Sequence, residues 1–403
     1  MGNKKKRVLM LVENNSLPFD KRVWRESLTL SNNGYEVTAI CPKGKEHKKR
    51  FEIINDIKIF RYNPKFSDGS ARGFIIEYLQ SLIVMFFISL NIYFYRGGFH
   101  IIHTANPPDT LCLIALFFKI LGVKFIYDDH DLVPESFKDK FPDPSISNNA
   151  ILKLLILFQK FSYRLSDNVI STNESYKKIA IERGKKQPDK VFVVRNGPDT
   201  KVFNYTEPVP HWKNGYDYMA AYIGVMGTLD GVDYIIRSCH YIVHELKRKD
   251  IYFVLIGSGD EFEKLKELTS SLKVNDYIHF TGRIPDKEAI EILSTANLCL
   301  SPDPNNNLNY ISTMNKIMEY MVCKSPIVSF NLLENKFSAK NSALYVKDNS
   351  VIEFANGILF LLNNVELSKE MTSFGYKRVH SKLCWEKQEK NLLEAYNCLT
   401  RGN

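Results

Sequence analysis

The sequence predicts an α/β protein built from two doubly wound domains, each around a mostly parallel sheet. Three observations predict it. The chain has 403 residues, a length that suits two to three domains. Short, almost continuously apolar runs alternate with helical stretches of roughly 10 to 18 residues, the pattern of parallel sheets covered on both faces. The alternation breaks at Pro208, Pro210, Lys213, Asn214 and Gly215, which puts a boundary near 204–214 and domains at 1–205 and 206–384.

The first strand is expected at 7–13. The apolar run behind Lys4, Lys5, Lys6 and Arg7 is too short for a secretory leader, so it reads as a strand. Asp20 is placed to cap the next helix and Gly34 to end it. Further strands are expected at 36–41, 101–104, 124–127, 169–172 and 191–195. A helix over 174–183 has Asn173 as its N-cap and Gly184 as its stop. In the second half, strands are expected at 220–223, 252–256, 278–281, 298–301 and 327–330, with helices beginning near Val232, Asp260, Asp286 and Ser312.

Three helical stretches in the first half are unusually apolar: 74–94, 110–121 and 150–165. The uninterrupted core of the first, 81–90, is too short to cross a bilayer. Lys119, Lys153, Lys160 and Arg164 punctuate the other two. Residues 1–205 carry a net charge of +11 and residues 206–403 a net −2, and one basic cluster is Lys43, Lys45, Lys48, Lys49 and Arg50. The asymmetry points to an anionic partner. With the apolar helices it predicts a half that rests on an anionic membrane surface without crossing it. No nucleic acid partner is expected. The seven cysteines are odd in number and lack CxxC spacing, which reads as reduced, buried thiols in a cytosolic protein and argues against a zinc site.

Open α/β sheets bind ligands in the loops after their strands, so those loops are the candidate sites. The second half opens with Tyr222-Ile223-Gly224-Val225-Met226-Gly227-Thr228-Leu229-Asp230-Gly231, a strand entering a glycine-rich turn and then a helix. Such a turn suits an anion and is also a plain turn. Gly257-Ser258-Gly259-Asp260 reads as a tight turn with Asp260 as N-cap. Within 312–321, Ser312 or Thr313 is placed to cap a helix. Ser312, Lys316, Glu319 and Cys323 share one stripe, and Met314, Ile317, Met318 and Met321 share the apolar one. Free N–H groups, an ammonium and a carboxylate in succession suit a nucleotide diphosphate and its ribose. The same spacing is also that of an i, i+3 surface pair. In the first half, Asp128-Asp129-His130-Asp131 follows a strand and puts a histidine among carboxylates. Asp129 and Asp131 also fit a D-x-D metal clamp. Asn14, Asn15 and Ser16 follow the first strand without the glycines of a dinucleotide fingerprint, which argues against an NAD-binding domain.

Taken as a set, several motifs carry a resemblance. In the first half they are Asp20-Lys21-Arg22-Val23-Trp24, His103-Thr104-Ala105-Asn106-Pro107-Pro108-Asp109, His130-Asp131, Ser171-Thr172-Asn173-Glu174-Ser175 and Val193-Val194-Arg195-Asn196-Gly197-Pro198-Asp199. In the second they are residues 224–233, Phe280-Thr281-Gly282-Arg283, residues 312–321 and Ser325-Pro326-Ile327-Val328. Over nearly its whole length the chain resembles bacterial family 4 glycosyltransferases of the GT-B fold. It is most similar to the branch that builds O-antigen, capsule or exopolysaccharide, which includes N-acetyl-L-fucosaminyl transferases.

The resemblance implies two Rossmann-like domains facing each other across a cleft, with a last segment, 385–403, packing back on the first domain. It implies retaining transfer without a metal or a cofactor, from a nucleotide sugar, with a UDP-N-acetyl sugar expected. The implied acceptor is a polyprenyl-diphosphate-linked saccharide, and the implied location is the inner face of the cell membrane. His130, Asp131 and Lys316 are the implied catalytic residues. Gly227, Thr228, Ser312, Thr313 and Lys316 match positions around the diphosphate, Glu319 the ribose position and Arg283 the base loop. Asp230, Met314 and Asn315 complete the donor side. Asn14, Asn15, Arg22 and Asn106 are expected on the acceptor side. The chain departs from the family pattern at Val225, Asp230 and Ile311, where many members have Arg, Lys and Glu. Lys316 is expected to take over the phosphate role. A nucleotide-sugar epimerase on the same fold and a non-catalytic subunit of an assembly complex are the alternative functions.

Overall fold

A computed structural model describes residues 5–44, 46–65, 71–141 and 145–399. Lys4, Lys45 and the end of the last segment, 400–403, lie outside the described residues. The chain divides into two compact units, one of Met1–Arg195 with Glu389–Asn403 and one of Asn196–Gln388.

The first unit runs β1 (Lys6–Val12), α1 (Lys21–Asn32), β2 (Tyr35–Pro42), β3 (Phe51–Ile54), β4 (Ile57–Tyr62), α2 (Ala71–Tyr95), β5 (Ile101–Ala105), α3 (Cys112–Ile120), β6 (Lys124–Asp129), α4 (Val133–Lys140), α5 (Ile146–Leu165), β7 (Asn168–Ser171), α6 (Glu174–Glu182) and β8 (Val191–Val193). Its eight-stranded sheet has the order β3-β4-β2-β1-β5-β6-β7-β8, with only the β3–β4 pair antiparallel. Val8 pairs with Val37 on one side and Ile101 on the other. Leu9, Met10, Leu11 and Val12 are all fully buried, because a central parallel strand is covered on both faces. That is why this strand reads as an unbroken apolar run.

The second unit runs β9 (Tyr218–Ile223), α7 (Val232–His240), β10 (Ile251–Ile256), α8 (Phe262–Ser271), β11 (Ile278–Gly282), α9 (Asp286–Thr295), β12 (Leu298–Ser301), α10 (Asn315–Val322), β13 (Ile327–Phe330), α11 (Leu333–Ala339), β14 (Ala343–Val346), α12 (Val351–Asn363) and α13 (Val365–Arg378). The last helix, α14 (Trp385–Cys398), follows. The sheet is parallel throughout, in the order β11-β10-β9-β12-β13-β14. One apolar cluster joins Ile235, Ile236, Phe253, Phe330 and Phe354 on one face. A second joins Val254, Leu293, Ile317, Met321 and Ile327 on the other.

The capping expectations hold where the side chain reaches the backbone. Asp20 accepts from the N–H groups of Arg22 and Val23, and Asn173 from that of Tyr176. Others are corrected. α8 starts at Phe262 with Glu261 before it, so Asp260 is not its cap. α10 starts at Asn315, not near Ser312; the Ser312 hydroxyl donates to the Leu308 carbonyl at 2.8 Å. The hairpin β3–β4 and the strand β14 were not expected. The hairpin turn is Asn55-Asp56, both with positive φ, a short-range signal for a tight hairpin.

The apolar stretch at 74–94 also needs correction. α2 has 25 residues, and its window Ile76–Tyr95 has mean hydropathy 1.5 and is 22% buried. By length and composition it is sufficient to cross a membrane. One face nevertheless packs into the unit, with Ser81, Met85, Ser89 and Ile92 buried.

Candidate active site

In the second sheet the first strand, β9, lies between β10 and β12, so the chain leaves it in opposite directions on its two sides. This is the topological switch point, where open sheets hold ligands. The loops after β9 and β10 are built against each other backbone to backbone. Gly224 N donates to Ile256 O at 3.0 Å, Met226 N to Ser258 O at 3.2 Å and Glu261 N to Met226 O at 3.0 Å. Gly257 has φ +135°, and a Cβ there would lie 1.8 Å from Gly224 O. Gly257 therefore serves this close approach, while a Cβ at Gly224 would meet the Tyr222 hydroxyl at 2.5 Å. Within the first loop, Gly227 N donates to Asp230 Oδ2 at 3.0 Å, so Asp230 folds back on its own turn. Burial raises the Asp230 carboxyl, and nearby Lys316 counters it.

α10 is bolted to the switch point by Tyr320. Its buried hydroxyl accepts from Ile223 N at 3.1 Å and donates to Leu300 O at 2.9 Å, tying the helix to the ends of β9 and β12. The N-cap residue, Met314, brings no capping side chain, and in the first turn the Ile317 N–H is bonded to the Met314 carbonyl at 3.2 Å. Lys316 sits in that first turn. Its ammonium donates to Asp303 Oδ1 at 2.5 Å and lies 4.8 Å from the Tyr222 ring centre. Burial opposes its charge, but Asp303 and Asp230 outweigh burial and keep it protonated. Asp303 also accepts from the Ser301 hydroxyl at 2.6 Å. The sequence reading missed Asp303. Its signal was an acid two residues after a fully buried strand, in the loop class where ligands are expected. Glu319, one turn beyond Lys316, is half-buried.

The switch point thus gathers most of the expected donor side. Gly227, Thr228 and Asp230 follow β9, Ser312, Thr313 and Met314 lead into α10, and Asn315, Lys316 and Glu319 lie on it. Thr228 and Asn315 are exposed. Arg283 is exposed and follows the edge strand β11, next to Gly282, whose carbonyl accepts from Gly257 N at 3.0 Å. Lys316 is not the surface partner of Glu319 that the spacing also allowed, because its ion pair is with Asp303.

In the first unit the switch point lies between β1 and β5, with β6 beside it. Asn14, exposed, and Asn15, half-buried, follow β1. His130 and Asp131 follow β6. His130 Nδ1 lies 3.3 Å from Asp128 Oδ2. Burial disfavours the imidazolium, yet Asp128 and Asp131 outweigh it and push His130 up to about 9. Arg22 clamps Asp128 from behind, Nε to Oδ2 at 3.0 Å and Nη2 to Oδ1 at 2.7 Å, while Nη1 donates to Val194 O at 3.0 Å. Asn106 braces the same loop: its Oδ1 accepts from the N–H groups of His130 and Asp131, and its Nδ2 donates to Asp131 O at 2.7 Å. Arg22 and Asn106, expected on the acceptor side, are instead buried braces of the loop that carries His130.

The D-x-D clamp does not form. Asp129 points inward and accepts from the Tyr163 hydroxyl at 2.7 Å, and burial drives its carboxyl well above the usual range. Asp131 is exposed. Ligating atoms of Glu26, His103 and Asp128 lie within 4.8 Å of one another, the separation a metal ion needs. The Arg22 guanidinium already contacts two of the three, Glu26 at 3.2 Å and Asp128 at 2.7 Å. The fixed cation of this cluster is therefore Arg22. The last helix completes the unit: the Tyr396 hydroxyl lies 2.6 Å from His103 Nδ1.

Comparison with known proteins matches both units. The family described as "Glycosyltransferase Family 4" matches residues 21–202, and "Glycosyl transferases group 1" matches residues 218–364. An uncharacterized glycosyltransferase of Methanocaldococcus jannaschii is 22% identical over 385 residues, 91% of each chain. Sucrose-phosphate synthase from Thermosynechococcus elongatus superposes with a TM-score of 0.77 at 16% identity, over 99% of this chain and all of that one. HepE of Anabaena, solved with UDP and glucose, superposes with a TM-score of 0.70 at 12% identity, over 98% of this chain and all of that one. With one glycosyltransferase family matching each unit and two Rossmann-like sheets beneath them, the chain is a glycosyltransferase of the GT-B fold.

Proposed function

We propose that the protein is a retaining glycosyltransferase that moves a sugar from a nucleotide donor, a UDP-N-acetyl sugar, to a lipid-linked saccharide acceptor in surface polysaccharide synthesis. The observation that carries the donor reading is α10 at the switch point, with Lys316 in its first turn and Glu319 one turn on. The bond from the anomeric carbon to the diphosphate oxygen breaks, a bond to an acceptor hydroxyl oxygen forms, and the hydroxyl's proton passes to the leaving diphosphate oxygen. Negative charge then grows on the leaving nucleoside diphosphate. The backbone N–H groups of Asn315 and Lys316 at the start of α10 meet that charge, as does the Lys316 ammonium, which keeps hydrogens beyond the one given to Asp303. Glu319 accepts from the ribose hydroxyls. This chemistry uses residues of the chain and no cofactor or metal. HepE, solved with UDP and with UDP-glucose, supports a uridine nucleotide.

The acceptor reading rests on the first unit. Ile76, Leu79, Ile83, Phe87 and Phe94 stand exposed on α2. The rings of Phe86 on α2 and Phe117 on α3 meet edge to face at 5.2 Å, so the two helices share an apolar surface with exposed Leu113, Ile120 and Leu121. Exposed Lys153 and Arg164 on α5 and Arg96 after α2 add positive charge. A helix with one face packed on its own unit and the other apolar and open suits the surface of an anionic bilayer, at the inner face of the membrane.

Incubation with UDP-sugars and a polyprenyl-diphosphate-linked acceptor tests the function, with UDP release and the anomeric configuration of the product as readouts. Glu319→Ala is expected to weaken donor binding by about tenfold or more. No UDP release with any donor, or an inverted product, sinks the corresponding part. Sedimentation with vesicles tests the surface: binding to anionic vesicles that falls with salt is expected, and no binding rejects it.

A further inference from the structure

We infer that Asp128, held by Arg22, is the positioning residue of His130: it fixes which ring nitrogen carries the histidine's inner proton and holds the imidazole in one orientation. The inference rests on the reading that His130 acts at the reacting centre.

The geometry comes from two elements that meet only in the fold, α1 and β6 with the loop that follows it. Asp128 ends β6 and is fully buried. Its two oxygens are engaged by separate nitrogens of one guanidinium, Arg22 on α1, so the carboxylate plane is set by a two-point contact. The oxygen facing Arg22 Nε also faces His130 Nδ1 at 3.3 Å. An ionised carboxylate only accepts, so the proton between them sits on Nδ1, and Nε2 is left as the ring nitrogen for a substrate. Arg22 keeps Asp128 ionised: burial alone would raise it, but the guanidinium holds it well below the usual carboxylate range.

The other groups around the histidine act on the same balance. Glu26 on α1 is pushed up by burial and by repulsion from Asp128, to about 7. His103 on β5 places Nε2 at 3.6 Å from Glu26 and 3.8 Å from Asp128, with Tyr396 of α14 on its other nitrogen. Asp20, Asp129 and Asp131 complete the titratable surroundings, with burial pushing Asp129 toward its neutral form. Arg22 with Asp128 forms the fixed pair, and His130 is the group whose charge that pair sets.

The test is the titration of His130, read by NMR of the imidazole in histidine-labelled protein and assigned with His130→Gln, alongside donor kinetics. In Asp128→Asn the His130 titration is expected to fall by about two pH units. Its kcat is expected to drop by at least about tenfold, with KM for the donor changed much less. Asp128→Glu, which keeps the charge, is expected to restore the titration. The double variant R22Q/D128N removes both charges, avoids a stranded guanidinium and is expected to shift the titration downward by less, because the repulsion from Arg22 is lost too. A His130 titration unmoved in these variants overturns the inference. Parent-like activity in His130→Gln would sink the role of His130 in transfer and still leave the titration result to be read.

Discussion

Lys316 and Asp303 form a buried ion pair at the switch point of the second sheet, Nζ to Oδ1 at 2.5 Å, with the lysine 8% and the aspartate 1% exposed. The ammonium proposed for the diphosphate is therefore held in place by a partner thirteen residues earlier. Removing one partner of a buried pair leaves an uncompensated charge. Asp303→Asn and Lys316→Met are each expected to cost roughly 3–5 kcal/mol. The double variant should lose clearly less than the sum. Urea unfolding of all four proteins checks this, and additive losses would mean that the two charges do not act as a pair.

Two glycines with positive φ separate steric need from conformational need. Gly257→Ala drives a Cβ to 1.8 Å from Gly224 O at φ +135°, so the turn has to open, and failure to fold or a loss above about 4 kcal/mol is expected. Gly282→Ala at φ +67° meets nothing within 4 Å, so only the left-handed backbone is penalised, by about 1 kcal/mol. Equal melting temperatures for the two variants would refute the close-packed loop.

Glu13 follows β1 and is buried against the Ser81 hydroxyl of α2 at 2.8 Å. Burial raises its carboxyl from 4.5 to about 7, and Glu77 adds to the rise. The folded state thus holds a proton that the unfolded chain has released. The stability from this proton is full below about pH 4.5 and is lost as pH rises through about 7. Glu13→Gln is expected to be more stable than the parent at pH 8, by on the order of 3 kcal/mol, and to match it near pH 4.5. Unfolding midpoints at both pH values decide it; a gap that does not grow with pH rejects the raised carboxyl.

Tyr396 carries a contact made only once the last helix is in place. Its hydroxyl is hydrogen-bonded to the buried His103 Nδ1 at 2.6 Å. Tyr396→Phe leaves that nitrogen without its partner, at an expected cost of about 1–3 kcal/mol. A thermal midpoint equal to the parent's would show that the contact contributes nothing.

Much of the architecture was legible from local pattern. Leu298–Ser301 and Ile327–Phe330 emerge with the boundaries expected of them, because strands buried on both faces are continuous in apolar residues. Asp20 and Asn173 cap as read, since a cap is satisfied by residues two or three positions away. The strand β14 escaped because Ala-Leu-Tyr-Val is short and weakly patterned. The start of α10 was misplaced because Ser312 bonds back to Leu308 rather than forward into the helix.

The candidate site was legible as a set of loops and illegible as a set of pairs. The sequence by itself determined the two sheets, the glycine turns and the polar stripe of α10, all encoded by neighbours within a few residues. Only the tertiary structure decided that Lys316 answers to Asp303, that Arg22 reaches across 106 positions to Asp128, and that Asn106 faces inward. Such choices are made by distance after the chain is packed. A buried charge takes whichever partner the fold brings within about 3 Å, and nothing in its immediate neighbours records which that will be.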